Sequence, residues 1–407
     1  MKKKILIVTP KFPYPKRGAC EQDRAAGIER LIDMGHEVEI ITKIYNLPFW
    51  KQALKDTQKK LNVNVTSFTY IFHGKVSLKK KIKKIMRQFL YPPYLDGAAY
   101  EYTDKKMKNA LKKSLESFQP DIVWFDYTYL WPLYKMVKKK GIPIITRSMN
   151  IEAFHFLEEN GWSPINIIKF LPKIYTEKII CRDSDVLLAI TPKEYDWYKK
   201  YCQEKLLLLP LRALPEYIKN PHKQNKTKKV LDVFFSGSTY NVPHNRAALE
   251  FVVNKVAPLA EEKFPGQFHF NIFGGKVPKS ILKIKNKNIT IFGYTNTKTY
   301  RKNMDNMDIA LIPSLYGSGM QQKIFEPIVC GFPTITSPRG IAGYHLKDGE
   351  HVLLADTPKE FVSALGKLKN VNTRNRIALA AREKTKNIFS QLVIDEILNK
   401  AIKKATS

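Results

Sequence analysis

The 407-residue chain has no apolar run long enough to span a bilayer, and its opening stretch, Ile5-Leu-Ile-Val-Thr9, is too short for a signal-peptide core before Pro10 stops it. It reads as the first buried strand of a cytoplasmic protein. Cysteine is scarce: Cys20, Cys181, Cys202 and Cys330 show neither metal-ligand spacing nor the density of a secreted disulfide framework, so reduced, structural thiols are expected. There is no short-period repeat or low-complexity tract. A Gly-x-Gly-x-x-Gly turn is also missing after either candidate first strand, and Thr9-Pro-Lys-Phe-Pro13 cannot make one, which argues against a dinucleotide-dependent oxidoreductase.

Negative charge is in short supply as well. Only 37 acidic residues face 69 basic ones, a formal charge of +32, so any polyanion is attracted: nucleic acid, anionic lipid or acidic glycan. No aromatic-basic nucleic-acid motif accompanies the charge, and nucleic acid is not an expected partner. The densest basic segment, Lys79 to Arg87, has Leu78, Ile82, Ile85, Met86 and Phe89 at helical spacing beside it. Two readings stand: an amphipathic helix on an anionic membrane surface, or a solvated helix face over a core stripe. The first places the protein at the inner face of the cell membrane.

What is present in quantity is alternation. An apolar content of 44% over this length is ample for two cores. Strand-like runs Lys4–Thr9, Glu37–Thr42, Asp121–Phe125, Ile142–Thr146 and Asp185–Thr191 interleave with helical stretches such as Glu21–Met34 and Leu130–Lys139, the pattern of a parallel sheet covered on both faces. From Pro210 to Lys229 the pattern dissolves into proline, asparagine and lysine and reads as a linker. Alternation then resumes with Val230–Phe235, a helix Arg246–Phe264, Phe268–Phe273, Ile289–Phe292, Asp308–Pro313 and Pro333–Thr336. The expected organisation is a first Rossmann-like domain at 1–209, the linker at 210–229, a second Rossmann-like domain at 230–385, and a final helix at 386–407 returning to the first. Two such α/β domains are expected to face each other across a cleft.

The run Gly317-Ser-Gly-Met-Gln-Gln-Lys-Ile-Phe-Glu-Pro-Ile-Val-Cys-Gly331 carries the chemistry. A glycine loop lets backbone N–H groups approach an anion, the following helix start adds its positive end, and Lys323 adds a full charge. Glu326 lies three residues on, hence on the same helical face, and can accept two hydrogen bonds from a ribose diol. Its alternative is a surface ion pair with Lys323. Because Pro327 is comfortable only in a first helical turn, the helix is expected to begin late, near Ile324, with free amides beside the phosphates.

These residues bring a family into view. Gly317 to Glu326, with Ile309-Ala-Leu-Ile-Pro313 before and Gly331-Phe-Pro-Thr-Ile-Thr336 after, resembles the donor-binding signature of glycosyltransferase family four, retaining enzymes of the GT-B fold. Phe235-Ser-Gly-Ser-Thr-Tyr-Asn-Val-Pro-His-Asn245, Val256-Ala-Pro258, Ile291-Phe-Gly-Tyr294 and Gly349-Glu-His-Val-Leu-Leu-Ala355 look like further landmarks, as do Pro13-Tyr-Pro-Lys-Arg-Gly18, Gly35-His-Glu-Val38 and Asn150-Ile-Glu152. The resemblance covers nearly the whole chain. It departs at one place: the family's paired glutamates would put the first at Ser318, while the second falls on Glu326.

The resemblance implies transfer of a sugar, with retention and without a metal, from a nucleotide sugar to a glycan or lipid-linked glycan, in bacterial surface polysaccharide or lipopolysaccharide assembly. The nucleotide sugar is then a substrate and no cofactor is needed. Lys323 and Glu326 take the catalytic roles, and the donor is held by Gly237, Ser238, Asn245, Tyr294, Gly317, Ser318, Gly319, Met320, Lys323 and Glu326. Asn245 has a second reading as the N-cap of the helix beginning at Arg246. On the acceptor side stand Gly18, which otherwise is a plain turn, and Arg147, Asn150 and Glu152, which otherwise cap and pair the next helix. Asp183-Ser-Asp185 has metal-motif spacing but joins a helix to a strand, where aspartate is common in turns. The competing readings are a non-catalytic polyanion-binding protein and a dinucleotide-dependent enzyme.

Overall fold

The computed structural model describes residues 2–16, 18–70, 77–79, 82, 85–86, 97–218, 225–284, 286–316 and 319–407. The chain divides into two compact units, Met1–Ala213 with Leu392–Ser407, and Leu214–Gln391. The expected linker is largely absorbed into the second. Leu214–Ile218 is helical, Asn225 donates to the Gly331 carbonyl at 3.4 Å, Arg374 donates to the Lys226 carbonyl at 2.7 Å, and Lys228 pairs with Asp308 at 2.8 Å.

The first unit holds seven strands: β1 (Lys4–Val8), β2 (Glu37–Ile44), β3 (Asn64–Thr69), β4 (Ile122–Phe125), β5 (Ile144–Arg147), β6 (Val186–Ala189) and β7 (Leu206–Leu208). They lie in the order β3-β2-β1-β4-β5-β6-β7, every pairing parallel. Parallel strands need helices on both faces, so their residues are apolar on both sides. Leu6, Val8, Val123 and Phe125 face one core with Trp131, Tyr134 and Ile180. Ile5, Ile7, Ile122 and Trp124 face the other with Ile28 and Leu31. Ile394, Leu398, Ala401 and Ile402 of the final helix, Gln391–Thr406, complete that second face. Arg30 anchors this helix through Nε to Asp395 at 2.5 Å.

Beneath the carboxyl ends of β4 and β5 the first unit buries a charged network. Arg212 donates to Asp23 at 2.7 Å and to Asp126 at 2.9 Å, and Arg147 lies 3.7 Å from Asp23. Arg147 is fully buried and donates from its two terminal nitrogens to the carbonyls of Leu209 and of Pro210, the latter at 2.9 Å. Burial pushes its guanidinium down to about 10, with Asp23 working against the shift. Arg147 therefore closes the interior and does not present a donor to an acceptor sugar. Gly27 makes room for this network: a Cβ there would sit 2.2 Å from the Arg212 guanidinium.

A second buried group sets a pH dependence. Glu177 accepts from the Glu152 amide at 2.8 Å and from the Tyr198 hydroxyl at 2.7 Å, forms no ion pair among the described residues, and burial raises it from 4.5 to about 8. Between those values the folded unit binds more protons than the unfolded chain, so stability is full below pH 4.5 and is lost as pH rises through about 8. Glu194, raised by burial to about 8, acts in the same direction. Thermal melts from pH 5 to 8.5 are expected to show declining stability, on the order of 3 kcal/mol from Glu177. Glu177→Gln should flatten that decline, and an equally steep decline in the variant would contradict the assignment.

The second unit holds β8 (Leu231–Thr239), β9 (Phe268–Gly275), β10 (Ile289–Gly293), β11 (Ile309–Ile312), β12 (Thr334–Thr336) and β13 (Leu353–Leu354), ordered β10-β9-β8-β11-β12-β13 and again all parallel. The helix expected at Arg246–Phe264 begins at Pro243, passes through a π-helical turn at Val252–Val256 and ends at Lys263. Pro258 accounts for the turn, since it has no N–H for the carbonyl one α-turn earlier. In both sheets the strand order reverses beside the first strand, at β1/β4 and at β8/β11. Such switch points open a crevice at the carboxyl ends of the strands.

Candidate active site

At the second unit's switch point, β8 ends in Ser236-Gly-Ser-Thr239 and β11 runs out into Pro313 and Ser314. The β8 end is held tightly. Tyr240 donates its hydroxyl to the Phe273 carbonyl at 2.6 Å, and a Cβ on Gly274, whose φ is +142°, would lie 2.2 Å from the Gly237 carbonyl. Ser337 ties β11 to β12, accepting from the Ser314 amide at 2.8 Å and donating to its carbonyl at 2.7 Å. Two rigid strand ends thus frame the loop that carries Lys323.

Gly317 and Ser318 lie outside the described residues. Gly319 has φ +79°, a conformation natural to glycine, and Met320 is buried. A 3-10 turn, Gln322–Ile324, precedes a short α-helix, Phe325–Val329, so helical structure begins late, with Pro327 inside its first turn, as the proline requires. The turn is fixed from behind: Tyr344 donates to the Gln321 carbonyl at 2.9 Å, Gln322 donates to the Tyr217 hydroxyl at 3.0 Å, and the Phe325 ring meets Tyr344 and Phe389.

Lys323 is half-buried. Its ammonium sits 5.8 Å from the centre of the Phe235 ring and 3.5 Å from the Asn245 side-chain oxygen, and no carboxylate pairs with it among the described residues. Burial lowers it to about 8, and Arg339 adds a like charge in the same direction. The surface pair of Lys323 with Glu326 is not formed. Burial raises the Glu326 carboxyl instead, with Arg301 opposing the shift. The site therefore holds the Lys323 ammonium, which no carboxylate pairs among the described residues, with the Arg339 guanidinium near it, and a desolvated carboxyl able to take hydroxyl hydrogen bonds.

Asn245 is the third residue of helix Pro243–Phe251 and not its N-cap, which is Val242. It donates to the Thr239 carbonyl at 3.1 Å and turns its oxygen to Lys323. The structure thus joins Asn245, Lys323 and the β8 end. Tyr294 stands apart: it follows β10, is 80% exposed, and lies against Gly275, where a Cβ would meet it at 3.8 Å. Arg339 went unnoticed in the sequence because it sits on the separate turn Pro338–Ile341 after β12. The one available signal was its place at the end of a strand in the same sheet.

In the first unit Gly18 is the N-cap of helix Ala19–Asp33, at the carboxyl end of β1. Asn150 and Glu152 follow β5, but Glu152 is buried and both of its oxygens are taken, one by Tyr127 at 2.7 Å and the other by Tyr129. It orients the tyrosines. Asp183 pairs with Arg182 at 2.8 Å and Lys138 at 3.4 Å, and Asp185 accepts from the Ile144 amide at 2.7 Å. The Asp183 to Asp185 motif is thus occupied by ordinary ion-pair and strand-end contacts.

Residues 231–370 match the model of the family described as Glycosyl transferases group 1. Among solved structures, TarM superposes with a TM-score of 0.70 at 13% identity, over 100% of this chain and 99% of that one. The chain has the GT-B fold. A Rickettsia africae glycosyltransferase superposes with a TM-score of 0.64 at 13% identity, over 99% of this chain and 98% of that one. Anabaena Alr3699/HepE, in complex with UDP and glucose, gives 0.62 at 13% identity, over 98% and 99%. No curated protein matches the chain. In the GT-B frame, the stretch that matches the family model contains Lys323, Glu326, Asn245, Tyr294 and Arg339.

Proposed function

We propose that the chain is a retaining glycosyltransferase that moves a sugar from a nucleotide-sugar donor, bound by the second unit, to a glycan or lipid-linked glycan acceptor. The observation that carries this reading is the half-buried Lys323 ammonium, without a carboxylate and with Arg339 beside it, at a sheet's switch point. When the glycosidic bond to the donor breaks, charge grows on the diphosphate, and two preorganised cations stabilise it without a metal. Glu326 receives the ribose or sugar hydroxyls, and Tyr294 offers an aromatic face for the base. Gly18 and Asn150 remain the acceptor-side residues; Arg147 and Glu152 are withdrawn from that role by their burial. Structures of similar fold were solved with UDP, UDP-glucose and a GlcNAc-glycerol, which supports a uridine-diphosphate sugar and a polyol-bearing glycan such as those of bacterial cell surfaces.

Thermal stabilisation by a panel of nucleotide sugars tests the donor. A ligand bound only by the folded protein, at about 100 times its Kd, adds about 2.7 kcal/mol, or roughly 5–10 °C for a unit of this size. The shift is expected to be full at pH 7. Above pH 8 it should shrink, because Lys323 deprotonates in the free protein while the diphosphate-bound form holds the proton, and affinity then falls up to about tenfold per pH unit. Stabilisation by no nucleotide sugar, or by one with no change from pH 7 to 9.5, would remove Lys323 from the site.

A further inference from the structure

Helix Pro164–Asp183 of the first unit is apolar along much of its length, and it is covered only from Pro172 onward. Pro172, Thr176, Ile179 and Ile180 are buried. Ahead of Pro172, Ile165, Ile167, Ile168 and Leu171 are exposed, by 65, 44, 63 and 60%, and Tyr175 one turn beyond Leu171 is exposed as well. Trp162, just ahead of the helix, is 71% exposed. A contiguous ridge of this kind on a soluble surface marks something that docks there.

Charge identifies the occupant. Tyr175 also borders a cavity of about 710 Å³, into which five cations face: Lys108, Lys135, Lys138, Lys139 and Arg182. The one carboxylate in its lining, Asp183, is already held by Arg182 and Lys138. Along the helix, Lys169 and Lys178 are exposed while Glu177 is buried. Along the helix and in the cavity the exposed charge beside the ridge is positive, while Glu158 and Glu159 at the end of helix Glu152–Asn160 are the exposed acidic residues ahead of Trp162. A second copy of the chain would bring the same cations face to face on molecules of +32 each. An anionic bilayer meets both demands at once: acyl chains take the aliphatic ridge, tryptophan and tyrosine sit at headgroup level, and phosphate enters the cationic cavity.

We propose that the first unit docks on anionic membranes through the Trp162–Tyr175 ridge, with a lipid headgroup phosphate held in the cavity of Lys108, Lys135, Lys138, Lys139 and Arg182. Its residues are other than those of the segment Leu78–Met86, whose described apolar residues, Leu78, Ile82, Ile85 and Met86, are also exposed. It does not rest on the glycosyltransferase reading.

Flotation of the full chain with vesicles tests it. Binding is expected to phosphatidylcholine vesicles containing phosphatidylglycerol, weakly or not at all to phosphatidylcholine alone, and to weaken with salt. Ile168→Asp with Leu171→Asp should abolish it. Lys135→Glu with Lys139→Glu should lower it about thirty-fold or more, at roughly a tenfold loss per 1.4 kcal/mol and about 1 kcal/mol per cation. All these side chains are exposed, and an unshifted melting transition of the first unit by calorimetry in both variants would show the protein intact. The proposal is overturned if the wild type ignores anionic vesicles, if both variants bind as the wild type does, or if only Leu78→Asp with Ile82→Asp loses binding. It is likewise overturned if Ile168→Asp with Leu171→Asp converts a dimer to a monomer without touching vesicle binding.

Discussion

Lys323→Met is expected to yield a folded protein whose turnover, as kcat/KM, is about 10²–10³-fold below that of the wild type, the usual cost of removing one preorganised donor from developing charge. Nucleotide-sugar stabilisation should fall with it. The apparent Tm without ligand should stay level or rise, because an ammonium half-buried without a carboxylate costs desolvation that methionine does not. That opposition of lost activity and retained or improved stability is what separates a site residue from a structural one. Lys323→Arg should keep part of the donor affinity and move its fall with pH beyond the range reached by lysine. If Lys323→Met instead melts early while turning over normally, the ammonium serves the fold and the diphosphate assignment is wrong.

The opposite behaviour is expected of Asp23. Its carboxylate lies among Arg212 and Arg147, both without exposure to water to speak of, and burial alone would raise it, yet the two guanidiniums hold it below the usual carboxylate range. Asp23→Ala leaves these cations facing each other in the interior with only Asp126 to share, an uncompensated charge that costs about 3–5 kcal/mol. The first unit should melt roughly 10 °C lower, while donor stabilisation of the second unit persists. Asp23→Asn, which keeps hydrogen-bond acceptance without the charge, should recover part of the loss. Calorimetry that resolves the two units would show it, and an unshifted first transition in Asp23→Ala would mean that the network is held by Asp126 alone.

Much of this was legible in the residues, for physical reasons that also mark where legibility stops. The runs Ile5–Val8, Ile122–Phe125, Val186–Ala189 and Ile309–Ile312 announce themselves because a strand buried on both faces must be apolar throughout. β3, Asn-Val-Thr-Ser-Phe-Thr, lies at the sheet edge and has no such run, and β7 is three leucines beside a proline-rich stretch. Helix Pro164–Asp183 shows no period because both of its faces are apolar and Pro172 sits inside it. Around the site, Lys323 and its late-starting helix were readable from a glycine loop and a proline. Arg339 was not, because its nearness to Lys323 exists only once β11 and β12 lie side by side. Arg147 was misjudged for the complementary reason: a strand's carboxyl end tells where a residue sits in the sheet, and not whether a neighbour has already claimed its side chain.

The placement of Gln391–Thr406 in the first unit's core has a bearing on biosynthesis. The ribosome makes the whole of Leu214–Gln391 before it makes Ile394, Leu398 and Ala401. The second unit, being continuous in the chain, has every residue it needs once it leaves the exit tunnel. The first must wait with one flank of its sheet uncovered until translation has passed the second.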